Sequence, residues 1–599
     1  MAGLDFAILG LYLAVLLIKA VLLTRRAGRS EEDYFLAGRR SPWWALGASG
    51  MSSNLDAAGT MTLVALVYLF GLHGLWIEMR GGVVLPIAVF LAFMGKWHQR
   101  SRVITTGEWM SLRFGDGPAG RAARVTAAAT YLIISVAMVV FFLSAAGRFL
   151  SGFLPLDPAW CAAAMAAVAL TYTLLSGLYG VIWTDVLQAG LIAFAAIYVA
   201  VLAAGHITPE LLDAWPGAAF NTPLPVLTGG LEGPAQPGGT ALYEPFLLFL
   251  MFWVGKGLLE GLGGSGGSAY MAQRFYAAQD VTTVKRLCLL WTVLFAFRWP
   301  MVLGFAILGV ALGLEPDRPE DLLGGVLLSD LFPAGVRGLL VTAVFAASMS
   351  TFDSTINAGA SYAVRDLYLP LVRPDAGPKQ QVRVGYAASA AIVAAGLGLS
   401  LLLADGVLSV WTTIVVQLFP AFLLPFALRW FWGRFNGWGF TAGVVAGFLG
   451  SLTLAMLPDA ATLGLPDRGP LVQQGVLTDV AILGCVGLCS LAGCLVGTLL
   501  TRPTDNDTLR RFYQQIRPLG RWPRPWKRGH TLEHRGDLGR LALALPWQVS
   551  TFLLPMLLVL RQWPSAAACA AVCLATGLPL LLDAARASPT PAGPPTADG

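Results

Sequence analysis

The stretch GASGMSSNLDAAG, residues 47–59, lies inside an apolar segment long enough to cross a bilayer. It nevertheless carries glycine at 47, 50 and 59 and a run of hydroxyl, amide and carboxylate side chains between Ser49 and Asp56. Each glycine costs a helix about 1 kcal/mol relative to alanine. Irregular backbone at membrane depth is tolerated only where it faces protein or a water-filled cavity. Segment 43–71 therefore reads as a broken span. GLLEGLGGSGGS, residues 257–268, repeats the pattern inside the span 243–270. Close helix packing through small residues is the other use of such glycines. For 257–267 alone the two readings stand level, and the match with 47–54 favours the break. The interrupted spans are five apart. Because five is odd, two five-helix units starting there run in opposite senses, and interrupted spans at matching places of an inverted repeat point to a binding site at the midplane.

Of 599 residues, 56% are hydrophobic and 12% charged, against about a quarter charged in soluble domains, so the chain is a polytopic membrane protein. At roughly 20 apolar residues per crossing, fifteen spans are read: 4–24, 43–71, 76–97, 121–150, 157–176, 179–204, 243–270, 287–314, 336–364, 384–404, 408–430, 437–457, 476–501, 541–561 and 564–583. Arg25 and Arg26 follow the first span, which sets its N-terminus outside. Arginine and lysine then crowd the segments that fall in the cytoplasm: 25–42, 98–120, 271–286, 365–383 and 502–540. The outside loop 205–242 has neither. The formal charge of +6 follows from these loops and calls for no nucleic-acid partner.

The chain divides into an accessory helix and loop (1–42), a first repeat (43–204), an outside loop (205–242), a second, inverted repeat (243–430), C-terminal accessory helices (431–583) and a tail (584–599) that reads as disordered. Loop 502–540 mixes charge, Trp and Pro and reads as a membrane-surface segment. The leading residues lack the positive charge of a signal peptide. The expected location is the plasma membrane, a bacterial inner membrane, with the lipid bilayer as partner and no obligate protein partner evident.

Residues 339–354, LLVTAVFAASMSTFDS, carry the chemistry. Ala347, Ser350, Thr351 and Ser354 share one helix face. Hydroxyls and a carboxylate in mid-membrane are costly unless they bind something, and oxygen ligands suit a hard cation such as Na⁺. Back-bonding of Ser350 and Thr351 to their own helix is the structural alternative. The seven cysteines all lie in apolar segments and read as small core hydrophobes. No HExxH and no Ser/His/Asp set is present, so an enzyme is not expected.

Asp33-Tyr34-Phe35-Leu36-Ala37-Gly38-Arg39, Thr106-Gly107-Glu108-Trp109, Arg113-Phe114-Gly115, the run Ser176–Gln188, and Ala347–Asn357 followed by Arg365-Asp366-Leu367-Tyr368 resemble, in this order, motifs of the sodium:solute symporter family. The resemblance covers roughly residues 5–450. It implies an all-α, leucine-transporter-type inverted repeat of five plus five helices with extra terminal helices, and Na⁺-coupled import of a small polar organic solute. It also implies a main Na⁺ site of the Ala48, Met51 and Ala347 carbonyls with the Ser350 and Thr351 hydroxyls. A second Na⁺, or a proton, is implied at Asp185, Asp353, Ser350 and Ser354. Asp353 departs from the family, where a small neutral residue is usual, and an ion pair with Arg298 is its structural alternative.

The sugar-binding pattern of the family is absent. Ser53, Asn54, Asp56, Glu78, Gly261, Gly264, Ser265, Ser268, Thr412 and Gln417 are the expected solute-facing positions. Charges of both signs there (Asp56, Glu78, Arg80, Lys256, Glu260, Arg298) suit a polar or zwitterionic solute. An H⁺-coupled carrier, and a membrane sensor that keeps the fold without transport, are the rival readings.

Overall fold

The computed structural model describes residues 2–27, 36, 39–81, 83–213, 215, 222–231, 243–264, 269–403, 406–457, 471–473 and 476–586, without the side chains of 20–21, 23–27, 175–180, 213, 269, 403 and 476. Among them, ten helices are long and apolar enough to cross a membrane, or twelve when two bent pairs each count as one span. The first bent pair is α2 (Trp43–Ser52) and α3 (Ala57–Phe70), at 62° to each other. The second, Val407–Leu418 with Pro420–Phe431, turns by 45°. Ahead of them, α1 (Gly3–Ala27) packs on the outside of the core.

The first interrupted span breaks later than its glycines suggest. α2 is regular through Ser52, and only Ser53–Asp56 leave the helix. Gly47 and Gly50 serve packing. A methyl at Gly50 would strike the Trp291 ring, and one at Gly47 would meet the Leu287 carbonyl at 3.1 Å. α2 thus lies flush against α8 (Val281–Ala296). The break itself is built by polar side chains. The Asn54 amide donates to the Gly50 carbonyl at 2.8 Å and the Ser53 hydroxyl to the Ser49 carbonyl at 2.7 Å, closing the C-terminal end of α2. Asp56 then caps α3, accepting from the Gly59 amide at 2.6 Å.

Both glycine uses occur in the second interrupted span. In α6 (Phe246–Gly263), Gly257 and Gly261 admit the Met79 carbonyl and the Val89 side chain, where a methyl would approach within 2.7 and 2.8 Å. Gly264 ends α6 in the left-handed region at φ 77°, and the chain resumes as α7 (Ala269–Tyr276). Segment 76–97 is broken up as well. A 3₁₀ turn at Glu78–Arg80 precedes Pro86–Val89, a π-turn at Phe90–Met94, and Gly95–Ser101.

Segments 157–176 and 179–204 fall in one 49-residue helix, α4 (Pro158–His206). The Tyr172 and Thr184 hydroxyls are hydrogen-bonded to each other. Twelve residues of straight helix would set them about 18 Å apart, so α4 bends between them, joining a shorter apolar arm (Pro158–Leu174) to one candidate crossing (Val181–His206). α9 (Arg298–Ala311) continues from α8 across the membrane. The most enclosed span is α10 (Val336–Tyr362), which packs on α4 and on the helix Pro118–Ser151.

Loop 502–540 spends its apolar face on protein rather than on the bilayer surface. In α11 (Asn506–Ile516), Leu509, Phe512, Tyr513 and Ile516 are buried, and α11 packs against the helix Thr106–Phe114. Two long helices, α12 (Thr531–Val559) and α13 (Trp563–Arg586), pair with each other and lie chiefly on α8, α9 and Pro86–Met94.

Candidate functional site

Where the α2/α3 break meets α10, backbone and hydroxyl oxygens converge. Thr351 Oγ1 lies 3.4 Å from the Leu55 carbonyl oxygen and 3.3 Å from that of Ala347. The Ser348 hydroxyl accepts from the Ala57 amide at 2.9 Å and fixes the start of α3 to α10. Hydroxyl hydrogen bonds are ordinarily 2.5–3.0 Å, so the Thr351 contacts are long. A cation with oxygen ligands at roughly 2.3–2.6 Å sets adjacent ligands about 3.3–3.7 Å apart. The two contacts of Thr351 Oγ1 have that spacing, and the one with Ala347 is at the same time a long back-bond to its own helix. Ala48 and Met51 lie in the last turns of α2, just ahead of the break. Leu55, in the break, adds a carbonyl facing Thr351 that the sequence reading does not name.

A second polar cluster lies one turn deeper. Asp185 accepts from the Ser350 hydroxyl on Oδ1 and from the Ser49 hydroxyl on Oδ2, both at 2.5 Å, and the Ser52 hydroxyl donates to the Asp185 carbonyl at 2.9 Å. Arg274 of α7 enters this cluster. Its Nη2 donates to Ser53 and Ser354 at 2.6 Å each and to Ser49 at 3.2 Å, and lies 3.6 Å from Asp185 Oδ2. Arg274 is fully buried; the sequence reading had placed it in a cytoplasmic loop. The eight-residue helix that carries it, set between a glycine run and Asp280, was the available signal. Asp353 faces away from this cation, accepting from Thr173 at 2.6 Å and bonded by Tyr172. Arg298 does not pair with it. Its Nη1 donates to the Asn54 carbonyl at 3.2 Å, and its charge faces Asp56 and Glu78.

Of the expected solute-facing positions, Asn54, Asp56 and Glu78 gather near Arg298, with the Tyr270 hydroxyl donating to Asn54 Oδ1 at 3.1 Å. Ser53 belongs to the Arg274 cluster. Gly261 is used in packing, and the Gly264 carbonyl is held by buried His98. Thr412 sits 3.4 Å from Arg80 Nη2, and Gln417 is half-buried further along the same span. Ser265 and Ser268 fall outside the described residues.

A Na⁺-coupled sialic acid symporter of known structure superposes with a TM-score of 0.64 at 18% identity, covering 84% of this chain and 99% of that one, so the two share the leucine-transporter-type fold. By sequence, the chain is similar to the sodium/glucose cotransporter of Vibrio parahaemolyticus, at 26% identity over 80% of this chain and 89% of the relative. It is also similar to the sodium/sialic acid symporter SiaT of Proteus mirabilis, at 23% identity over 66% and 77%. The profile of the sodium:solute symporter family matches residues 34–447, and the chain belongs to that family.

Proposed function

We propose that this chain is a Na⁺-coupled symporter that imports a small polar organic solute by alternating access. The observation that supports the reading is the pair of long contacts from Thr351 Oγ1 to the Leu55 and Ala347 carbonyl oxygens, a spacing that adjacent ligands of one cation also have. Na⁺ enters from outside and joins the α2/α3 break to α10; Ser350 adds a neighbouring hydroxyl whose proton is directed to Asp185. The ion binds the conformation in which Leu55 faces Thr351, and its binding energy shifts the population toward it. Solute then binds between the break, Glu78 and Arg298. The body formed by α2, α3, α6, α7, α8 and the 73–101 segment rocks against α4, α10 and the Pro118–Ser151 helix and releases both inward. One charge moving through 100 mV is worth about 2.3 kcal/mol, or roughly fifty-fold accumulation.

The inner cluster supports one Na⁺ rather than two, because the Arg274 guanidinium stands on the hydroxyls that a second ion would use. A proton in place of Na⁺ is the second reading, favoured by Asp353, a buried carboxylate in no ion pair among the described residues. The N-terminus outside and residence in a bacterial inner membrane complete the proposal. The test is uptake into proteoliposomes under opposed Na⁺ and H⁺ gradients. Na⁺-driven accumulation lost in the Ser350→Ala/Thr351→Ala double variant supports the ion site. Accumulation driven by H⁺ alone and lost in Asp353→Asn supports the proton reading.

A further inference from the structure

Six charged side chains lie buried around the solute region, Asp56, Glu78, Arg80, Lys256, Glu260 and Arg298, with half-buried Asp479 at its outer edge. Buried charges are retained when they are paired or when they bind something, so their partners decide what is left for a ligand. Lys256 and Glu260 form an ion pair one helical turn apart. Arg80 pairs with Asp479 at 3.2 Å, and Trp253 donates to the same carboxylate. Asp56 caps α3 through the Gly59 amide and also faces the Arg298 guanidinium, without an ion pair within 4 Å.

Two charges remain. Glu78 is 5% exposed and Arg298 6% exposed. Glu78 Oε2 and Arg298 Nε have no hydrogen-bond partner among the described residues, and the two side chains form no ion pair with each other or with any other described residue. They come from different elements, Glu78 from the 3₁₀ turn after α3 and Arg298 from the start of α9. Arg298 feels Asp56 first and Glu78 next, and forms an ion pair with neither among the described residues. Arg298 is anchored by its Nη1 on the Asn54 carbonyl, and the bare Cα of Gly59 makes room for its Nη2. A carboxylate and a guanidinium held apart in a water-poor site form a receptor for a ligand with one positive and one negative group.

We propose that the solute is a small zwitterion, its ammonium group on Glu78 and its carboxylate on the Arg298 guanidinium. A neutral polyol would leave both charges unmatched, and a simple anion or cation would leave one. A site built on buried charges rejects an analogue that lacks the matching group far more strongly than an apolar pocket rejects one lacking a methylene. The assignment rests on the symport reading above but can fail separately from it.

The experiment uses the purified full chain in liposomes with an inward Na⁺ gradient, offered the twenty radiolabelled protein amino acids, glucose, myo-inositol and acetate. At least one amino acid should accumulate. Against it, the corresponding acid without the amino group and the corresponding amine without the carboxylate should each compete about a hundredfold more weakly, or worse. Glu78→Gln should narrow the gap for the acid and leave the gap for the amine; Arg298→Gln should do the reverse. Glu78→Asp, which keeps the charge, should keep both gaps, and thermal unfolding of each purified variant separates misfolding from altered selectivity. Na⁺-driven uptake of glucose or inositol without any amino acid overturns the zwitterion while symport stands. Amino-acid accumulation indifferent to Na⁺ overturns the coupling and leaves the zwitterion. Uptake of no amino acid under any condition, or loss of both gaps together in Glu78→Asp, overturns the proposal.

Discussion

Arg274 Nη2 lies 3.6 Å from Asp185 Oδ2, with both side chains sealed from solvent. This contact links α7, just beyond one helix break, to α4, while Ser49 and Ser53 from the other break share both partners. Two interrupted helices and two scaffold helices are thereby fastened at one depth.

Removing one charge from that contact should cost far more than removing both. Asp185→Asn leaves a buried guanidinium with hydroxyls alone and is expected to destabilise the protein by about 3–5 kcal/mol. Arg274→Met in the same background should recover part of the loss. Denaturant unfolding of the purified protein in detergent reads both values. A single variant as stable as the parent would show that the hydroxyls alone satisfy the arginine.

Thr351→Ala should raise the Na⁺ concentration for half-maximal uptake about tenfold, with Thr351→Ser close to the parent, because only the hydroxyl faces Leu55 and Ala347. Ala48 and Met51 lie inside regular helix, so side-chain changes there should move stability before they move the Na⁺ curve. Initial uptake rates against Na⁺ distinguish the two behaviours.

Gly50→Ala drives a methyl into the Trp291 ring, and overpacking of this kind costs about 1–3 kcal/mol. Trimming the ring in Gly50→Ala/Trp291→Leu should return some of it. Thermal unfolding of the two variants tests whether the glycine serves packing; a harmless Gly50→Ala would return it to the break.

The ion pairs around the start of α12 are a fourth site of expected sensitivity. Lys96 holds fully buried Asp537 at 2.6 Å and Glu533 at 2.8 Å, and Lys285 and Arg540 both hold Asp583. Lys96→Met leaves Asp537 with Arg540 as its remaining cation and should destabilise the start of α12 by about 2–4 kcal/mol. Faster amide exchange confined to residues 524–540 is the expected signature.

Much of this architecture is legible in residue order. Glycines and hydroxyls inside apolar segments marked both interrupted spans. The break itself was displaced because glycine serves both close packing and chain reversal: Gly50 meets a tryptophan ring, whereas Asn54 and Asp56 build the turn. Arg274 was missed because a basic residue after a span looks like a cytoplasmic anchor, and only the three-dimensional return of α7 puts it on Asp185. Asp353 and Arg298 looked like partners by charge alone, yet they face different clusters. Phe512 and Tyr513 gave a surface helix its apolar stripe, but which surface it covers depends on contacts hundreds of residues away.

α12 and α13 lie chiefly on helices of the body proposed to move, and they expose Leu532, Trp563, Leu574 and Leu578 outward. That body therefore drags part of the hydrocarbon boundary with it on every cycle. Lipid thickness and lateral pressure then enter the work of transport directly, so acyl-chain length becomes a control on turnover, applied at the rim and felt at the centre.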